Sequence, residues 1–245
     1  MSQQVVVEKS LNFQGTAENT ANVKGNPSFS KMVFCDHFTQ VAIDTTNDYT
    51  STLGGTSDAV AVTGGGAHTL TLTTGTGDNE VSFLASALIF DVTNNPVIEA
   101  KVTITDVSGT SLFFGFASAN TETTPASTID YADGTLAASA TTTDAVGFVC
   151  DADKVTSTLY AASIATGGAV AAASTGIIWT DGQEKVLRIA VDSSLDASFW
   201  VDGVLTNTVQ LAVTDVPLCF IVNYGTRAAD GSNTVVVDYI KAWSD

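Results

Sequence analysis

The chain has few basic residues, few histidines and few cysteines, and each shortage argues against a class of function. Its 245 residues include 9 Lys and Arg against 26 Asp and Glu, and the formal net charge is −17. A charge of this sign and size repels the phosphate backbone of nucleic acid and the anionic surface of a membrane. No stretch approaches the roughly 18 consecutive apolar residues that a membrane crossing needs. Neither nucleic acid nor a membrane is therefore an expected partner.

The N-terminus and the cysteines indicate folding in a reducing compartment. Residues 1–9 lack the basic segment and the apolar core of a secretory signal, so we expect the chain to fold in the cytoplasm of the cell that makes it. Cys35, Cys150 and Cys219 are an odd number of cysteines in a chain too long to need disulfide staples. Cys150 and Cys219 lie in apolar runs, which predicts reduced and buried side chains.

Apolar residues make up 44% of the chain and are distributed over short runs rather than one long block. In residues 1–31 every apolar run is broken by Asn, Gly or Pro, so this segment is predicted to be an extended arm. From residue 32 onward, short apolar runs alternate with Gly, Asp, Asn, Ser and Thr, which is typical of strands and turns. The sequence predicts a single β domain over residues 32–245.

Two strand pairs are the clearest local signals. The alternation from Ile98 to Thr105 and the apolar run Leu112–Phe116 predict a hairpin that turns at Asp106–Gly109. The runs Val186–Val191 and Ala197–Val201 predict a second hairpin, with a tight turn after it at 202–203. Further strands are expected at 68–73, 80–84, 146–150, 156–164, 216–223 and 234–243, and the Ala-rich segments 136–140 and 169–173 are expected to be loops or edge strands. Without crossover helices, these strands favour two antiparallel sheets packed face to face.

Several motifs resemble concanavalin-like, laminarinase-like jelly rolls. They are Asp36-His-Phe38 followed by Asp44-Thr-Thr46 and Tyr49, the pair Arg188-Ile-x-Val-Asp192 and Phe199-x-Val-Asp-Gly203, and the closing segment Val237–Trp243. In that family a Trp usually stands where this chain has Tyr49. The resemblance covers residues 34–243 and implies an all-β, two-sheet antiparallel jelly-roll β-sandwich with an extended N-terminal arm.

With the stretch Thr141–Asp153, the same motifs are also similar to capsid-associated proteins of tailed, especially marine, phages. This second resemblance implies a capsid decoration or cement protein on the outer surface of a phage head, made in the host cytoplasm and carried on the virion. Its expected partners are the major capsid protein and neighbouring copies of itself, since modest contacts add up over a symmetric lattice. The alternative is a carbohydrate-binding module or adhesin of the same fold, with glycans as partners.

The predicted arm contains apolar side chains that a partner could bury. An extended segment can add a strand to the edge of a partner's sheet and gain backbone hydrogen bonds without forming a domain of its own. The residues expected to make this capsid contact are Val5, Val6, Val7, Leu11, Phe13 and Phe29. A frayed terminus without a role is the alternative.

Catalytic chemistry is not expected from the sequence. Laminarinase-like hydrolases carry two carboxylates on one strand as Glu-x-Asp-x-(x)-Glu, because alternate residues share a face and retaining hydrolysis needs the carboxylates ~5 Å apart. The chain has no such pattern, and Glu99 has Lys101 at the same-face position. Neither His37 nor His68 is at zinc-ligand spacing, and His68 is predicted to be a core-edge residue. We therefore expect that the chain is not an enzyme.

Two binding sites remain as weaker hypotheses. Four carboxylates close together in predicted turns could hold calcium, although they complete no calcium-binding loop and turn-forming Asp is the plainer interpretation: Asp130, Asp133, Asp151 and Asp153. No other cofactor or metal is expected. Three aromatic residues could stack on sugars, although aromatic residues of a sandwich lie more often in its core: Trp179, Trp200 and Tyr224.

Overall fold

The regular structure of this chain is almost entirely β-strand. The computed structural model describes residues 32–55, 57–63, 68–121, 127–132, 134–154, 157–227 and 233–244. Within these ranges the helical structure is one 3-10 turn, Val92–Asn94. None of the described residues forms a helix with the length and hydropathy that crossing a bilayer requires.

Sheet A is formed by eight antiparallel strands, which are β1 (Met32–Asp36), β3 (Ala59–Thr63), β4 (Thr69–Thr73), β7 (Val97–Ile104), β14 (Glu184–Val191), β15 (Ala197–Val201), β16 (Val204–Val209) and β18 (Thr234–Ser244). Their order across the sheet is β16-β15-β14-β7-β18-β4-β3, and β1 pairs with the C-terminal half of β18. The strands β7 and β18 therefore lie side by side in the middle of the sheet.

Sheet B also has eight antiparallel strands, which are β2 (Tyr49–Leu53), β5 (Val81–Ser86), β6 (Phe90–Asp91), β8 (Thr110–Ala117), β11 (Ala145–Asp151), β12 (Thr158–Ile164), β13 (Ala171–Ile178) and β17 (Pro217–Thr226). The order is β13-β12-β11-β8-β17-β5-β2, with β6 paired to the start of β17. A separate hairpin joins β9 (Ile129–Ala132) to β10 (Thr135–Ala138).

The main hydrophobic core lies between the two sheets. Alternate residues of a strand point to opposite faces, so each strand contributes every second side chain to this core. On β7 the core residues are fully buried, and they are Ile98, Ala100, Val102 and Ile104. The residues between them, Glu99 and Lys101, consequently belong to the outer face of sheet A.

A second hydrophobic layer covers the outer face of sheet B. Ile129 and Tyr131 of the β9–β10 hairpin are buried in one cluster with Phe113, Val149 and Ile221 of the sheet. The apolar character of β8, β11 and β17 on both faces follows from this arrangement, because each of these strands is covered on its two sides. The β9–β10 hairpin thus covers part of the outer face of sheet B, and no such hairpin of the described residues covers the outer face of sheet A.

The long apolar and alternating strands lie where the sequence predicts them. The hairpin of β14 and β15 is confirmed, and the predicted tight turn after it is formed by Asp202 and Gly203, whose φ angles are 51° and 79°. Positive φ at both central residues is the geometry that matches the twist of a two-residue hairpin. The Ala-rich segments contribute to β10 and to the edge strand β13.

The predicted hairpin between residues 98–105 and 112–116 is wrong. Its two strands, β7 and β8, belong to different sheets, and the turn between them carries the chain across the sandwich. Asp181 accepts a hydrogen bond from the Val107 backbone N–H at 2.9 Å and holds this crossing in place. Alternation identifies the buried side of a strand but carries no information about which sheet the strand joins.

The cysteine prediction is confirmed and one histidine prediction is wrong. Cys150 and Cys219 are buried and unpaired, and Cys35 is exposed. His68 is exposed rather than at the edge of the core, because its φ of 48° removes it from the alternation that begins at Thr69. The predicted arm with its apolar residues lies outside the described ranges, so its role stays a prediction.

Candidate functional site

A row of charged and aromatic side chains crosses the outer face of sheet A. The cross-strand register places Trp200 of β15 opposite Arg188 of β14, and Arg188 opposite Glu99 of β7. Glu99 lies in turn opposite Lys241 of β18. With two further side chains of β18, these residues form what we call the aromatic-ionic face: Trp200, Arg188, Glu99, Lys241, Tyr239 and Trp243.

Arg188 links the two indole rings of this face. Its guanidinium carbon lies 5.2 Å from the centroid of the Trp200 ring and 5.4 Å from that of Trp243. Burial lowers the pKa of Arg188, while the nearby Glu99 carboxylate opposes that shift. Trp243 is buried, whereas Trp200 keeps part of its ring in solvent. The contact therefore holds Trp200 in one orientation with exposed aromatic surface.

Glu99 is a buried carboxylate with only 4% of its surface exposed. The Tyr239 hydroxyl donates a hydrogen bond to its Oε1 at 3.0 Å. Arg188 and Lys241 lie directly across from it on the two neighbouring strands. Burying a charge is costly unless the charge is paired and hydrogen-bonded, and these neighbours meet that requirement.

Lys101 continues the outward side of β7 next to this face. Its ammonium group lies 3.2 Å from a carboxylate oxygen of Glu184 and 3.1 Å from one of Asp238. The hydrogen bond to Asp238 raises the pKa of Lys101, with a smaller contribution from Glu184. Together with Glu99, Arg188 and Lys241, this region of sheet A carries three cations and three carboxylates. It is electrically balanced in a chain whose net charge is −17.

An open cleft of about 710 Å³ adjoins the face beside β1. The His37 ring lies 5.8 Å from the Tyr239 ring and connects the cleft to the face. Asp36 accepts hydrogen bonds from the Tyr49 hydroxyl at 2.7 Å and from the Gln40 amide at 2.9 Å, which orders the cleft wall. The lining residues are Phe34, Cys35, Asp36, His37, Thr39, Gln40, Ala42, Asp44 and Asp48.

A second charged group, the Arg227 cluster, lies at sheet B and consists of Arg227, Asp130, Asp151 and Asp153. Arg227 Nη2 donates to Asp151 at 2.9 Å and to Asp130 at 2.5 Å, and its Nε lies 3.8 Å from Asp153. Asp151 is fully buried, and it also accepts the backbone N–H of Tyr131 at 3.0 Å. Burial raises the pKa of Asp130; Arg227 opposes that shift, and the carboxylates of Asp151 and Asp153 add to it. The cluster fastens the β9–β10 hairpin to sheet B.

Two of the three predicted sugar-stacking residues are in the core, so that prediction is wrong for them. Trp179 is fully buried and its indole N–H donates to the Gln183 carbonyl at 2.7 Å. Tyr224 is also fully buried. Neither ring presents a surface to a ligand. Trp200 is the candidate of the three that is partly exposed.

The predicted calcium carboxylates come together, but around a guanidinium. Asp130, Asp151 and Asp153 all lie beside Arg227, while Asp133 is outside the described residues. The positive charge that would satisfy these carboxylates is thus supplied by the chain itself. In the described ranges, no group of three or more His, Cys, Asp or Glu side chains is arranged to hold a metal ion.

Arg188, Tyr239 and Trp243 are site residues that the sequence analysis did not single out. Each lies in a motif that resembles jelly-roll strands, and such motifs were interpreted as structural. The available signal was the spacing of the polar residues, since Arg188 and Glu99 each interrupt an apolar alternation on its outward side. What the sequence did not contain was the register that places them opposite one another.

The comparisons with known proteins place the chain by its fold. It matches no protein family profile and no curated protein sequence. LamAcat from Zobellia galactanivorans is similar with a TM-score of 0.63 at 11% identity, covering 89% of this chain and 100% of that one. The laminarinase catalytic domain of Thermotoga maritima is similar with a TM-score of 0.61 at 14% identity, and the match covers 88% of this chain and 98% of that one. The carbohydrate recognition domain of Emp47p is similar with a TM-score of 0.59 at 11% identity, and the match covers 86% of this chain and 94% of that one. The chain has the concanavalin-like, laminarinase-type jelly-roll fold.

These similarities correct two expectations. The capsid-decoration interpretation is contradicted, because the matching structures are glycan-acting and glycan-recognising domains, which favours the carbohydrate-binding alternative. The expectation that the chain is not an enzyme is contradicted as well, because the same fold carries the catalytic domain of a laminarinase. The first expectation came from sequence motifs that specify the sandwich and not its use, and the second came from the missing carboxylate pattern.

Proposed function

We propose that this chain is a glycan-recognising domain and that its aromatic-ionic face binds the carbohydrate. The observation that carries the proposal is Trp200, a partly exposed indole whose orientation is set by Arg188. An ordered, partly exposed aromatic ring offers the C–H face of a sugar ring an apolar contact at little cost in conformational entropy. The match of the fold to a laminarinase catalytic domain and to a carbohydrate recognition domain supports the same ligand class.

The polar side chains of the face suit the hydroxyl groups of a sugar. Tyr239 and Lys241 lie on β18, three strands across the sheet from Trp200 on β15, which corresponds to ~14 Å at the usual spacing of neighbouring strands. An oligosaccharide that stacks on Trp200 would therefore reach these polar groups along the row. The cleft beside β1 continues the same surface through His37 and adds the Gln40 amide.

A glycan array followed by isothermal titration calorimetry tests this function. We expect at least one glycan to bind the chain, and Trp200→Ala to weaken that binding by about 2 kcal/mol, as the loss of a central aromatic anchor does. Trp200→Phe should retain part of the affinity. The matched control is Leu53→Ala, which removes an exposed apolar side chain on β2 of sheet B, away from the aromatic-ionic face, and should leave binding unchanged. Equal binding by Trp200→Ala and the unaltered chain would contradict the proposal.

A further inference from the structure

The charges of the aromatic-ionic face and of neighbouring Lys101 are already matched by one another. Arg188 and Lys241 lie on either side of Glu99, and Lys101 contacts both Glu184 and Asp238. Each basic side chain in this part of sheet A therefore has an acidic neighbour. An anionic group of a ligand would have to compete with Glu184 and Asp238 for Lys101, and beside Arg188 and Lys241 it would approach the Glu99 carboxylate.

The surroundings of the face are acidic. The adjoining cleft contains Asp36, Asp44 and Asp48, and the chain as a whole carries a net charge of −17. The Debye length at 0.1 M salt is ~10 Å, so a charged group bound at the Tyr239 end of the face, which His37 joins to the cleft, would sense the carboxylates of the cleft. Their combined field opposes a carboxylated or sulfated sugar and has no effect on an uncharged one.

Arg188 is also poorly placed to act as an anion-binding residue. It is only 8% exposed, and its guanidinium contacts the Trp200 and Trp243 rings. These contacts make it a positioning residue for Trp200 rather than a charge presented to a ligand. The surface that remains for recognition is the indole ring together with hydroxyl and amide groups.

From this arrangement we infer that the face selects an uncharged glycan and discriminates against carboxylated or sulfated ones. The inference rests on the proposed function of the same face. It specifies that the ligand offers hydroxyl groups and apolar ring faces. It also specifies that binding is insensitive to ionic strength, because no net charge is neutralised when the complex forms.

The test compares uncharged and charged versions of the same polymer. An array of uncharged oligosaccharides and their sulfated or uronic counterparts is screened first, and laminarin and carboxymethylated laminarin are then titrated at low and high NaCl. We expect the array signals to come from uncharged sugars, with the carboxymethylated polymer bound about tenfold more weakly at low salt and recovering in part at high salt. The affinity for the uncharged polymer should not change with salt.

A charge variant gives an independent measure of the same inference. Glu184→Gln with Asp238→Asn removes both carboxylates that contact Lys101, and these side chains are 64% and 43% exposed, so the fold should tolerate the change. We expect this variant to gain about tenfold in affinity for the carboxymethylated polymer, with a gain that salt removes. The control is Asp78→Asn with Asp215→Asn, which changes the net charge equally at exposed positions outside the face.

The outcomes separate the inference from the function on which it rests. Tighter binding of carboxymethylated laminarin than of laminarin, weakened by salt, would overturn the uncharged-ligand inference and leave glycan recognition standing. An equal gain in the control variant would overturn the assignment of selectivity to this face. An array without signal for any sugar would overturn the proposed function itself.

Discussion

At the scale of single residues, Arg188 and Arg227 show two ways of burying a positive charge. Arg188 has one carboxylate beside it and two indole rings, and burial lowers its pKa. Burial acts in the same direction on Arg227, but Asp151 and Asp130 outweigh it and raise its pKa. The first arginine orients an aromatic ring, whereas the second ties separate strands together. Substitution of Arg188 should therefore be detected in binding as well as in stability, whereas substitution of Arg227 should be detected in stability.

Two carboxylates of the Arg227 cluster should differ in their effect on stability. Asp151→Asn removes a fully buried partner that holds the guanidinium through two nitrogens, and we expect it to lower the free energy of unfolding by about 3 kcal/mol. Asp130→Asn should cost less near neutral pH, because that carboxylate is itself disfavoured by burial. Chemical denaturation of both variants checks this order, and a larger loss for Asp130→Asn would contradict it.

The raised pKa of Asp130 also predicts a pH dependence. A carboxyl group whose pKa is higher in the folded than in the unfolded state favours folding when protonated, and this contribution is lost as pH rises through the folded pKa. In the unaltered chain, the contribution of Asp130 to stability should therefore be lost as pH rises from the ordinary pKa of an aspartate to the raised pKa of Asp130 in the folded state. Asp130→Asn should lack this loss. The readout is the difference between the two stability curves, and parallel curves would show that Asp130 does not titrate in this way.

The three cysteines should react with thiol reagents in a fixed order. Burial raises the pKa of Cys150 and Cys219 to about 12, and both side chains are hidden from solvent. Cys35 is exposed in the cleft wall. Because the thiolate is the reactive form, we expect one rapid modification at Cys35 and modification of the other two only on unfolding. Mass spectrometry of peptides after a short exposure gives the order, and rapid labelling of Cys219 would mean that β17 is not a covered strand.

At the scale of elements, the pairing of β8 with β11 depends on two glycines. Gly115 and Gly147 lie directly opposite each other, and a Cβ at Gly147 would lie 2.5 Å from the Phe113 ring. A Cβ at Gly115 would meet the Val146 backbone carbonyl. The absence of side chains at these positions thus leaves room for the Phe113 ring, which packs in one cluster with Ile129 and Tyr131 of the β9–β10 hairpin. Covering both sides of sheet B requires this close approach.

Substitution at this glycine pair should disturb the second hydrophobic layer. We expect Gly115→Ala to lower the free energy of unfolding by about 2 kcal/mol, because the added methyl group meets backbone that cannot move aside. Ala173→Ser, on the exposed edge strand β13, serves as a control that should stay within about 0.5 kcal/mol. Urea denaturation measures both, and equal stabilities would mean that β8 and β11 are less closely packed than described.

The strands that the sequence predicted share strong alternation or long apolar runs, as β7 and β17 do. The missed strands include β1 and β2, which have five residues each and pair with β18 and β5, strands that do not adjoin them in sequence. The candidate site could be predicted only in part from the sequence, because it too depends on which strands pair. Trp200 could be proposed because aromatic residues bind sugars, but its exposure depends on Arg188, and that contact is fixed by strand register.

At the scale of the whole molecule, the acidic net charge lowers the stability of the folded state. A net charge of −17 on a chain of 245 residues produces self-repulsion in the folded state that the unfolded chain partly relieves. Added NaCl screens this repulsion. We expect the melting temperature to rise as NaCl is increased from low concentration, with no comparable rise for an uncharged solute at the same osmolarity in the same range. A melting temperature that falls with added NaCl would show that matched ion pairs outweigh the repulsion.

The pairing of β1 with β18 has a mechanical consequence. Met32 lies opposite Ser244 in an antiparallel ladder, so the two ends of the sandwich leave it at the same point. Tension applied through both ends would load this ladder at its last pair and open its hydrogen bonds one after another, like a zipper, instead of shearing them all at once. Stretched in an optical trap, the domain should release β1 at low force before the rest of the sandwich unfolds. A polymer bound across sheet A at β18 would therefore lose the neighbouring strand β1 before any other part of its binding surface.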